Sequence, residues 1–304
     1  MSPAASALRW CGGVLGVLVL MAGALQAADH LAQHTTESVH FYSSTAGVEI
    51  VADGEVTVTT GGTVVEVRTH ARTGLVPAGY TADEVAEQLR IRHECEGVLG
   101  SSCAASLEVR VPKGVQVTVR SSSGAVSVFD VVGDVQVSTN LGGVTVEGVT
   151  GRVVATTGSG AVDVRDVGGP VEASTHIGPV LVRGVGGAVT AHSASGDVDI
   201  RDAGGSVEAS THLGRISVRG VQGDATLDAG SGRLDVAAVR GDVRATTNHG
   251  RVVVRSTGEP VALDIATANG RSTVDAPIDR DAPRSVYIRS GSGDVSYVDD
   301  DATR

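Results

Sequence analysis

Apolar and polar residues alternate along most of the chain, and from Gly124 to Gly250 the alternation repeats every nine residues. Each unit reads G-x-V-x-V/A followed by four further residues, so its apolar side chains fall on one face of a short strand. Nine residues cannot bury such a face alone, but stacked copies bury a continuous core. The pattern therefore predicts an all-β fold, a parallel β-solenoid of the β-helix or β-roll type. The recurring glycine supplies the positive φ or the crowded backbone that a sharp corner needs.

The second apolar position of each unit predicts how the units pair. It is Val or Ile in every other unit and mostly Ala in the units between. Large side chains facing small ones suit two opposed sheets about 10 Å apart, so we expect 18 residues per coil. Corner motifs such as TGSG and THIG also recur with a weaker period of 36 residues. A four-sided coil of 36 residues is therefore the alternative, although it would need bulkier fillers than Val and Ala.

Residues 37–120 are less regular and predict an irregular N-terminal β region that caps the solenoid. GVEIVADGEVTVTTGG predicts strands separated by hairpin turns. TADEVAEQL predicts a short helix with Thr81 as its N-cap. LRIRHEC and SLEVRVPKGVQVTVR have the period of two that is typical of strands.

The solenoid is assigned to residues 121–298 and an acidic tail to residues 299–304. SVYIRSGSGDVSYV predicts the last strand of the stack. We expect the bulk of Tyr287 and Tyr297 and the charge of the aspartates that end at Asp301 to terminate pairing there, because open solenoid ends invite aggregation.

The first 28 residues predict a signal peptide. Arg9 is followed by an apolar run, Gly12–Leu25, and then by the small residues Ala27 and Ala28. The run is short for a membrane span of about 20 residues, which favours a cleaved signal over a retained anchor. Residues 29–36 predict a polar linker. We therefore expect a secreted or extracytoplasmic protein.

Cys95 and Cys103 are the cysteines that remain after such cleavage. An exported protein meets an oxidising environment, so a disulfide between them is the favoured interpretation. A pair of free thiols is the first alternative and a metal site the second. His93 alone lies near in sequence, whereas a structural zinc site needs four ligands.

Composition narrows the classes of function. The formal net charge is −11, and a single Lys stands among 24 basic residues. An acidic surface repels phosphate backbones, which disfavours nucleic acid as a partner.

Charged residues recur at fixed places in the repeat and raise the question of calcium binding. Calcium-binding β-rolls carry their aspartates in the turns, since Ca²⁺ takes six to eight oxygen ligands. Here Asp163 stands in mid-strand, and the corners hold Ser, Thr, Gly and His. We therefore expect a solvated face in which arginines of neighbouring strands balance the aspartates. Its members are Asp163, Asp166, Asp199, Asp202, Asp235, Arg165, Arg183, Arg201, Arg219 and Arg255.

His176 and His212 recur in STHIG and STHLG, where Asn140 and Asn248 occupy the equivalent positions. In an 18-residue coil the two histidines are about 10 Å apart, too far for one metal ion. Asn and His both tolerate tight corners, so a turn role is predicted. The sequence predicts no catalytic, cofactor-binding or metal-ligating residues.

Several stretches resemble a known family. LRIRHECEGVLGSSCAASLEVRVPKGVQVTVRSSSGAV, the repeats SGAVDVRDVGG and SGDVDIRDAGG, and SVYIRSGSGDVSYV are similar to the bacterial putative-adhesin family of β-strand-repeat proteins. The resemblance spans roughly residues 40–298. It implies a β-helix-like fold on an exported or membrane-tethered bacterial protein, and it implies no catalytic residues.

The functional expectation is an exported, non-enzymatic module of the bacterial cell envelope with an adhesin-like binding or structural role. Its expected partner is an envelope polysaccharide or another surface protein, with membrane contact only if the N-terminal segment is retained as an anchor. The alternative is an extracytoplasmic carbohydrate-active enzyme on a β-helix scaffold. Such sites are usually built on insertions, and no insertion interrupts the repeat from Gly124 to Gly250.

Overall fold

A computed structural model describes residues 24, 31–32, 34–43, 45–73, 78–85, 87–95 and 103–299. This part of the chain is nearly all β and forms two large, mostly parallel sheets, which confirms the predicted parallel β-solenoid. The predicted signal peptide, residues 1–28, lies outside the described residues except for Ala24. Among the helical residues that are described, no segment has the length and apolar character needed to cross a membrane.

The strands follow one another in short lengths along the whole chain. In chain order they are β1 (His34–Tyr42), β2 (Gly47–Ala52), β3 (Val56–Thr60), β4 (Val65–Thr73), β5 (Ala78–Val85), β6 (Gln88–Cys95), β7 (Cys103–Val111), β8 (Gln116–Ser123), β9 (Val126–Phe129), β10 (Val135–Leu141), β11 (Val144–Val149), β12 (Val153–Ser159), β13 (Val162–Val167), β14 (Val171–Ile177), β15 (Val180–Val185), β16 (Val189–Ser195), β17 (Val198–Ala203), β18 (Val207–Leu213), β19 (Ile216–Val221), β20 (Ala225–Ser231), β21 (Leu234–Val239), β22 (Val243–His249), β23 (Val252–Arg255), β24 (Ala262–Asn269), β25 (Ser272–Asp275), β26 (Ser285–Ser292) and β27 (Val295–Val298).

Sheet A has the order β1-β4-β7-β3-β9-β11-β13-β15-β17-β19-β21-β23-β27-β25, and sheet B has the order β24-β26-β22-β20-β18-β16-β14-β12-β10-β8-β2-β6-β5. Within the repeat each strand pairs in parallel with the strand 18 residues later, as Val144 does with Val162 and Val162 with Val180. One strand of each sheet therefore forms one coil, which we call a rung. The 18-residue coil is confirmed, and the 36-residue coil is not formed.

The core lies between the two sheets and is built as the large and small positions predict. Sheet A contributes valines such as Val146 and Val164, and sheet B contributes alanines such as Ala155 and Ala173, all at most 1% exposed. Small side chains on one sheet leave room for the branched side chains of the other, so the core fills without large aromatic residues.

Glycines form the corner that leads from sheet B to sheet A. Gly142 and Gly160 have φ of +133° and +147°, which side-chain-bearing residues rarely adopt. A buried hydroxyl from the following rung satisfies each glycine carbonyl. Thr157 Oγ1 donates to the Gly142 oxygen at 2.9 Å, and Thr175 Oγ1 donates to the Gly160 oxygen at 3.0 Å. Polar side chains occupy these inward positions because they form the hydrogen bonds that the corner backbone needs.

The predicted helix in TADEVAEQL is wrong. Residues 81–85 of this stretch lie in β5, an antiparallel edge strand in which Thr81 pairs with Arg92 of β6, and residues 88–89 begin β6. Glu87, with φ of +63°, lies in the turn between the two strands. Pairing with β6 satisfies the backbone of β5, and Tyr80 packs against the core, so tertiary contacts override the local capping signal.

The N-terminal region contributes two rungs of its own to the stack. Strands β2 and β3 form one rung of the stack and β6 and β7 form another, while only β1, β4 and β5 pair antiparallel. β8 crosses the predicted boundary at residues 120–121, and β1 begins at His34, inside the predicted linker.

Both ends of the stack are assembled out of chain order. The rung β26–β27 lies between β22–β23 and the outermost rung, β24–β25. At the other end, β2–β3 lies between β6–β7 and β8–β9. The segment predicted as the last strand is therefore the penultimate rung.

The predicted terminating role of the two tyrosines is wrong for the same reason. Tyr297 points into the core and is 1% exposed. Tyr287 lies on the outer face of sheet B, with the guanidinium groups of Arg244 and Arg289 at 4.3 and 4.4 Å from its ring centroid. Both aromatic rings stabilise the packing of the inserted rung, one by burial and one by cation–π contact.

Candidate functional site

A row of arginines crosses the outer face of sheet A. The parallel register sets Arg165 beside Arg183, Arg183 beside Arg201, and Arg201 beside Arg219. Neighbouring strands are about 4.8 Å apart, so four like charges follow one another at that spacing. Like charges directly opposite on adjacent strands are destabilising, and the row therefore calls for counter-charges.

Aspartates supply counter-charges on alternate strands. Arg165 Nε donates to Asp163 Oδ1 at 2.9 Å, and Arg201 Nη2 donates to Asp199 Oδ2 at 2.9 Å, in each case within one strand. Each hydrogen bond, together with the charge of the aspartate, raises the pKa of the arginine. The expectation that neighbouring strands balance these charges is wrong here, because residues two apart on one strand lie on the same face.

The intervening strands supply no such partner. β15 carries Leu181 and β19 carries Ser217 where β13 and β17 carry aspartate. Within the part of the chain that the structure describes, the side chains of Arg183 and Arg219 form no hydrogen bond and no ion pair, and Nε of Arg183 is buried without a partner. Two cationic groups in the row are therefore uncompensated.

A groove of about 630 Å³ opens on this face beside the row. Five arginines and three aspartates line it, together with apolar residues such as Leu181 and Val198. The lining is locally cationic although the whole chain has a formal net charge of −11. The charged lining residues are Arg201, Arg215, Arg219, Arg233, Arg255, Asp197, Asp199 and Asp235.

Two of the groove arginines were missed by the sequence interpretation. Arg215 and Arg233 each follow a corner glycine, 18 residues apart, and Arg251 continues the series. A basic residue at one position in three successive coils is a signal that an 18-residue alignment of the repeat would have shown. Arg233 Nε lies 2.7 Å from Asp235 Oδ2, so this arginine is paired like Arg201.

Asp166 and Asp202 belong to corners and not to the charged face on which they were predicted. Their φ angles are +52° and +57°, and glycine occupies the equivalent place in the strands between, as at Gly184. Asp is among the few side-chain-bearing residues that enter this region readily. Their recurrence therefore reflects backbone geometry.

The two recurring histidines also lie at a corner. His176 and His212 are exposed and stand on β14 and β18, two rungs apart in sheet B. The ring of His212 contacts that of His192, with centroids 6.0 Å apart. In the described ranges, no three His, Cys, Asp or Glu side chains converge as a metal-binding group.

Cys95 ends β6, and its main-chain N–H donates to Asp53 Oδ2 at 2.8 Å. The side chain of Cys103, at the start of β7, lies outside the described residues. The disulfide between these cysteines therefore stays a prediction.

A polar cluster fills the space between the sheets at the N-terminal end of the stack. The His40 ring stacks on Tyr80 with centroids 4.5 Å apart, and the hydroxyls of Tyr42 and Tyr80 are 2.7 Å apart. His93 lies beneath them, 2% exposed, with Nδ1 lacking a hydrogen-bond partner. Burial lowers the pKa of His93, against the opposing effects of a hydrogen bond with the Ser106 backbone and the charge of Asp53.

This burial makes the N-terminal end sensitive to acid. A histidine whose pKa is lowered by folding adds full stability above its unfolded pKa of about 6.5 and loses it as the pH falls below that value. We expect the melting temperature of the chain to be flat above about pH 7 and to fall as the pH drops below about 6.5. His93→Gln should flatten this decline relative to His176→Gln, which removes an exposed histidine. Parallel curves for both variants and the wild type would contradict the assignment.

The family model described as Toastrack DUF4097 matches residues 84–303. No curated protein matches the chain. Among the solved structures that align with most of this chain are three with low sequence identity. A putative adhesin from Bacteroides fragilis is 11% identical over 87% of this chain and 97% of its own, with a TM-score of 0.38. A putative cell adhesion protein from Clostridium sporogenes is 6% identical over 88% and 100%, with a TM-score of 0.24. A putative lipid binding protein from Parabacteroides distasonis is 10% identical over 87% and 97%, with a TM-score of 0.35.

Proposed function

Because the chain belongs to the Toastrack DUF4097 family, we propose that it is a non-enzymatic, extracytoplasmic binding module that holds an anionic polymer in the arginine groove of sheet A. The groove stands on a rigid stack of parallel strands, which suits binding to an extended partner. Envelope polysaccharides that carry carboxylate or phosphate groups have the matching chemistry.

The observation that carries this proposal is the pair of uncompensated arginines. Arg219 lines the groove, and Arg183 stands beside the groove in the same row of like charges. The part of the chain described here gives neither of them a carboxylate. An anionic ligand would supply the missing counter-charges through charge-assisted hydrogen bonds, which are stronger than neutral ones. The aspartates of β13 and β17 already engage the other two arginines, so they leave this pair available.

The spacing of the two arginines favours a polymer over a small ion. Arg183 and Arg219 lie two strands apart, about 9.6 Å along the stack. A chain with repeated charges at that spacing engages both arginines without drawing their side chains together. Each further contact along the same chain then forms at a high effective concentration.

The pairing of the face aspartates supports binding over glycoside hydrolysis. A hydrolase needs one carboxyl group poised to donate a proton to the leaving group and a second one near it. Asp163, Asp199 and Asp235 are each held by an arginine of the same strand or of the adjoining corner. Each of these carboxylates is therefore already engaged as the counter-charge of an arginine.

The test is a binding titration of the full chain with polygalacturonate, and dextran serves as the neutral comparison polymer. We expect salt-sensitive binding to polygalacturonate and none to dextran. The double variant Arg183→Ala/Arg219→Ala should bind roughly tenfold or more weakly, since two charge-assisted contacts are lost.

The matched control is Arg72→Ala/Arg92→Ala, which removes the same charge from exposed positions outside the groove. It should leave the affinity within about twofold, because screening weakens interactions beyond about 10 Å. Equal losses in both double variants would indicate a general charge effect and contradict a site in the groove. Equal binding of dextran would contradict the anionic ligand.

A further inference from the structure

The outermost rung, β24–β25, leaves core positions open at the C-terminal end of the stack. Val274 pairs in register with Tyr297 and therefore points to the same side of sheet A. Tyr297 is 1% exposed, but Val274 is 43% exposed. Leu263 and Ile265 on β24 are only partly buried against the core.

Among the described residues, β24 and β25 have no strand partner on their outer sides. The segment around Ile278 covers only the start of this edge, where it pairs with Val261 and the Asp279 N–H donates to the Val261 oxygen at 3.0 Å. The outer edge of β25, with Val274, faces solvent.

Charged side chains usually protect a sheet edge from pairing, but on this rung they form ion pairs with the rung next to it. Natural proteins blunt exposed edges with charged residues that discourage pairing. On this rung Asp264 accepts from Arg289 Nη2 at 2.8 Å, and Arg271 Nη2 lies 3.4 Å from Asp294 Oδ2, both on the next rung. The Arg271 side chain is nevertheless 87% exposed and remains within reach of another carboxylate.

We infer that this end is a dimer interface, at which β25 pairs antiparallel with β25 of a second copy of this chain. Centring the pair on Thr273 brings each Arg271 opposite the second copy's Asp275, and each Ser272 opposite the second copy's Val274. The strand is thus complementary in charge to its own reversed copy, as an isologous interface requires. Opposite charges on paired strands are favourable, and the two open valines become covered.

The size of the end face is compatible with a specific contact. Eight residues of strand span about 26 Å, and two sheets with their outer side chains measure about 20 Å across. Two copies would then bury about 1,000 Å² in total, close to the lower limit for a specific interface.

The two ends of the stack present different edges, since the edge strands at the N-terminal end are β1 and β5. At the N-terminal end, antiparallel strands cover the parallel stack, and the cluster of His40, Tyr42 and Tyr80 fills the space between the sheets. Tail-to-tail pairing therefore closes the assembly as a dimer, whereas head-to-tail contact would propagate a filament.

Sedimentation velocity of the purified full chain tests the inference. We expect a concentration-dependent dimer and, for Val274→Lys, a dissociation constant raised at least tenfold with an unchanged melting temperature. Val39→Lys is the matched control, because Val39 is 44% exposed on the edge strand at the other end. This control should remain dimeric. A monomeric wild type, or dissociation by Val39→Lys but not by Val274→Lys, overturns the inference.

A charge exchange tests the pairing register independently. Asp275→Arg should weaken the dimer, since it sets two arginines opposite each other. The double variant Arg271→Asp/Asp275→Arg should restore it, because the opposite charges then meet in reversed order. Failure of the double variant to recover dimerisation, with its circular dichroism unchanged, overturns this register.

Discussion

Replacing Gly142 by alanine is expected to lower the free energy of unfolding by about 3 to 5 kcal/mol. Gly142 has a φ of +133°, and a Cβ placed there would lie 2.5 Å from the carbonyl carbon of Gly124 on the preceding rung. The added carbon would also overlap the Gly124 carbonyl oxygen. Neither backbone can move without breaking its own pairing, so strain and steric clash add. Thermal and denaturant unfolding of the purified variant measure the loss.

Gly143→Ala is the matched control for Gly142→Ala. Gly143 stands next in the chain, yet a Cβ there would meet its nearest atom, the Ala161 oxygen, at 3.5 Å, an ordinary contact. Gly143→Ala should therefore change the free energy of unfolding by less than about 1 kcal/mol. If the two alanine variants melt alike, the corner geometry assigned to Gly142 is wrong.

Replacing Val164 by aspartate is expected to cost at least 3 to 5 kcal/mol, roughly the penalty for an unpaired buried charge. Val164 is 0% exposed and points between the sheets, where valines and alanines of neighbouring rungs surround it. The new carboxyl group would have to remain protonated or open the stack. We expect the melting temperature of the variant to lie far below that of the wild type at neutral pH. The difference should become smaller as the pH is lowered toward the carboxyl pKa of the unfolded chain.

Asp163→Asn is the paired control, one residue away on the opposite face of the strand. Asp163 is partly exposed and hydrogen-bonded to Arg165, so asparagine removes a surface ion pair and should cost less than about 1 kcal/mol. A comparable loss for both variants would show that the inward and outward faces have been exchanged.

The sequence predicted the repeat in detail because a single pattern controls it. The alternation that sets Val146 and Ala155 inward is the same in every coil, and each coil supplies the environment of the next. Local pattern and global packing therefore agree, and the size of the coil follows from side-chain volumes alone.

The ends could not be predicted in the same way, because long-range pairing decides them. The residues of TADEVAEQL do not show that one edge of β6 is free to pair with them. Likewise, the order of β24–β25 and β26–β27 depends on which rung packs against β22–β23. The alternation of Val286 and Ile288 would fit several places in the stack equally well, so it does not reveal this order.

The sequence predicted the charged face of the candidate site but not the pairing of its charges, because that pairing also depends on contacts in the folded chain. The sequence places Asp163 and Arg165 on one face, but it does not show that they pair with each other and leave Arg183 alone. Rotamer geometry decides that outcome. The groove itself lies where Leu181 and Ser217 stand in place of the aspartates of neighbouring strands, at two positions 36 residues apart.

The insertion of β26–β27 beneath the outermost rung has a mechanical consequence. β27 is hydrogen-bonded to β23 on one edge and to β25 on the other, so tension applied to the chain beyond Val298 loads two rows of bonds in shear. A solenoid whose strands follow chain order would instead peel from its end, one strand at a time. Force applied at this end therefore has to break both rows of hydrogen bonds together, and unfolding is expected to begin elsewhere in the stack.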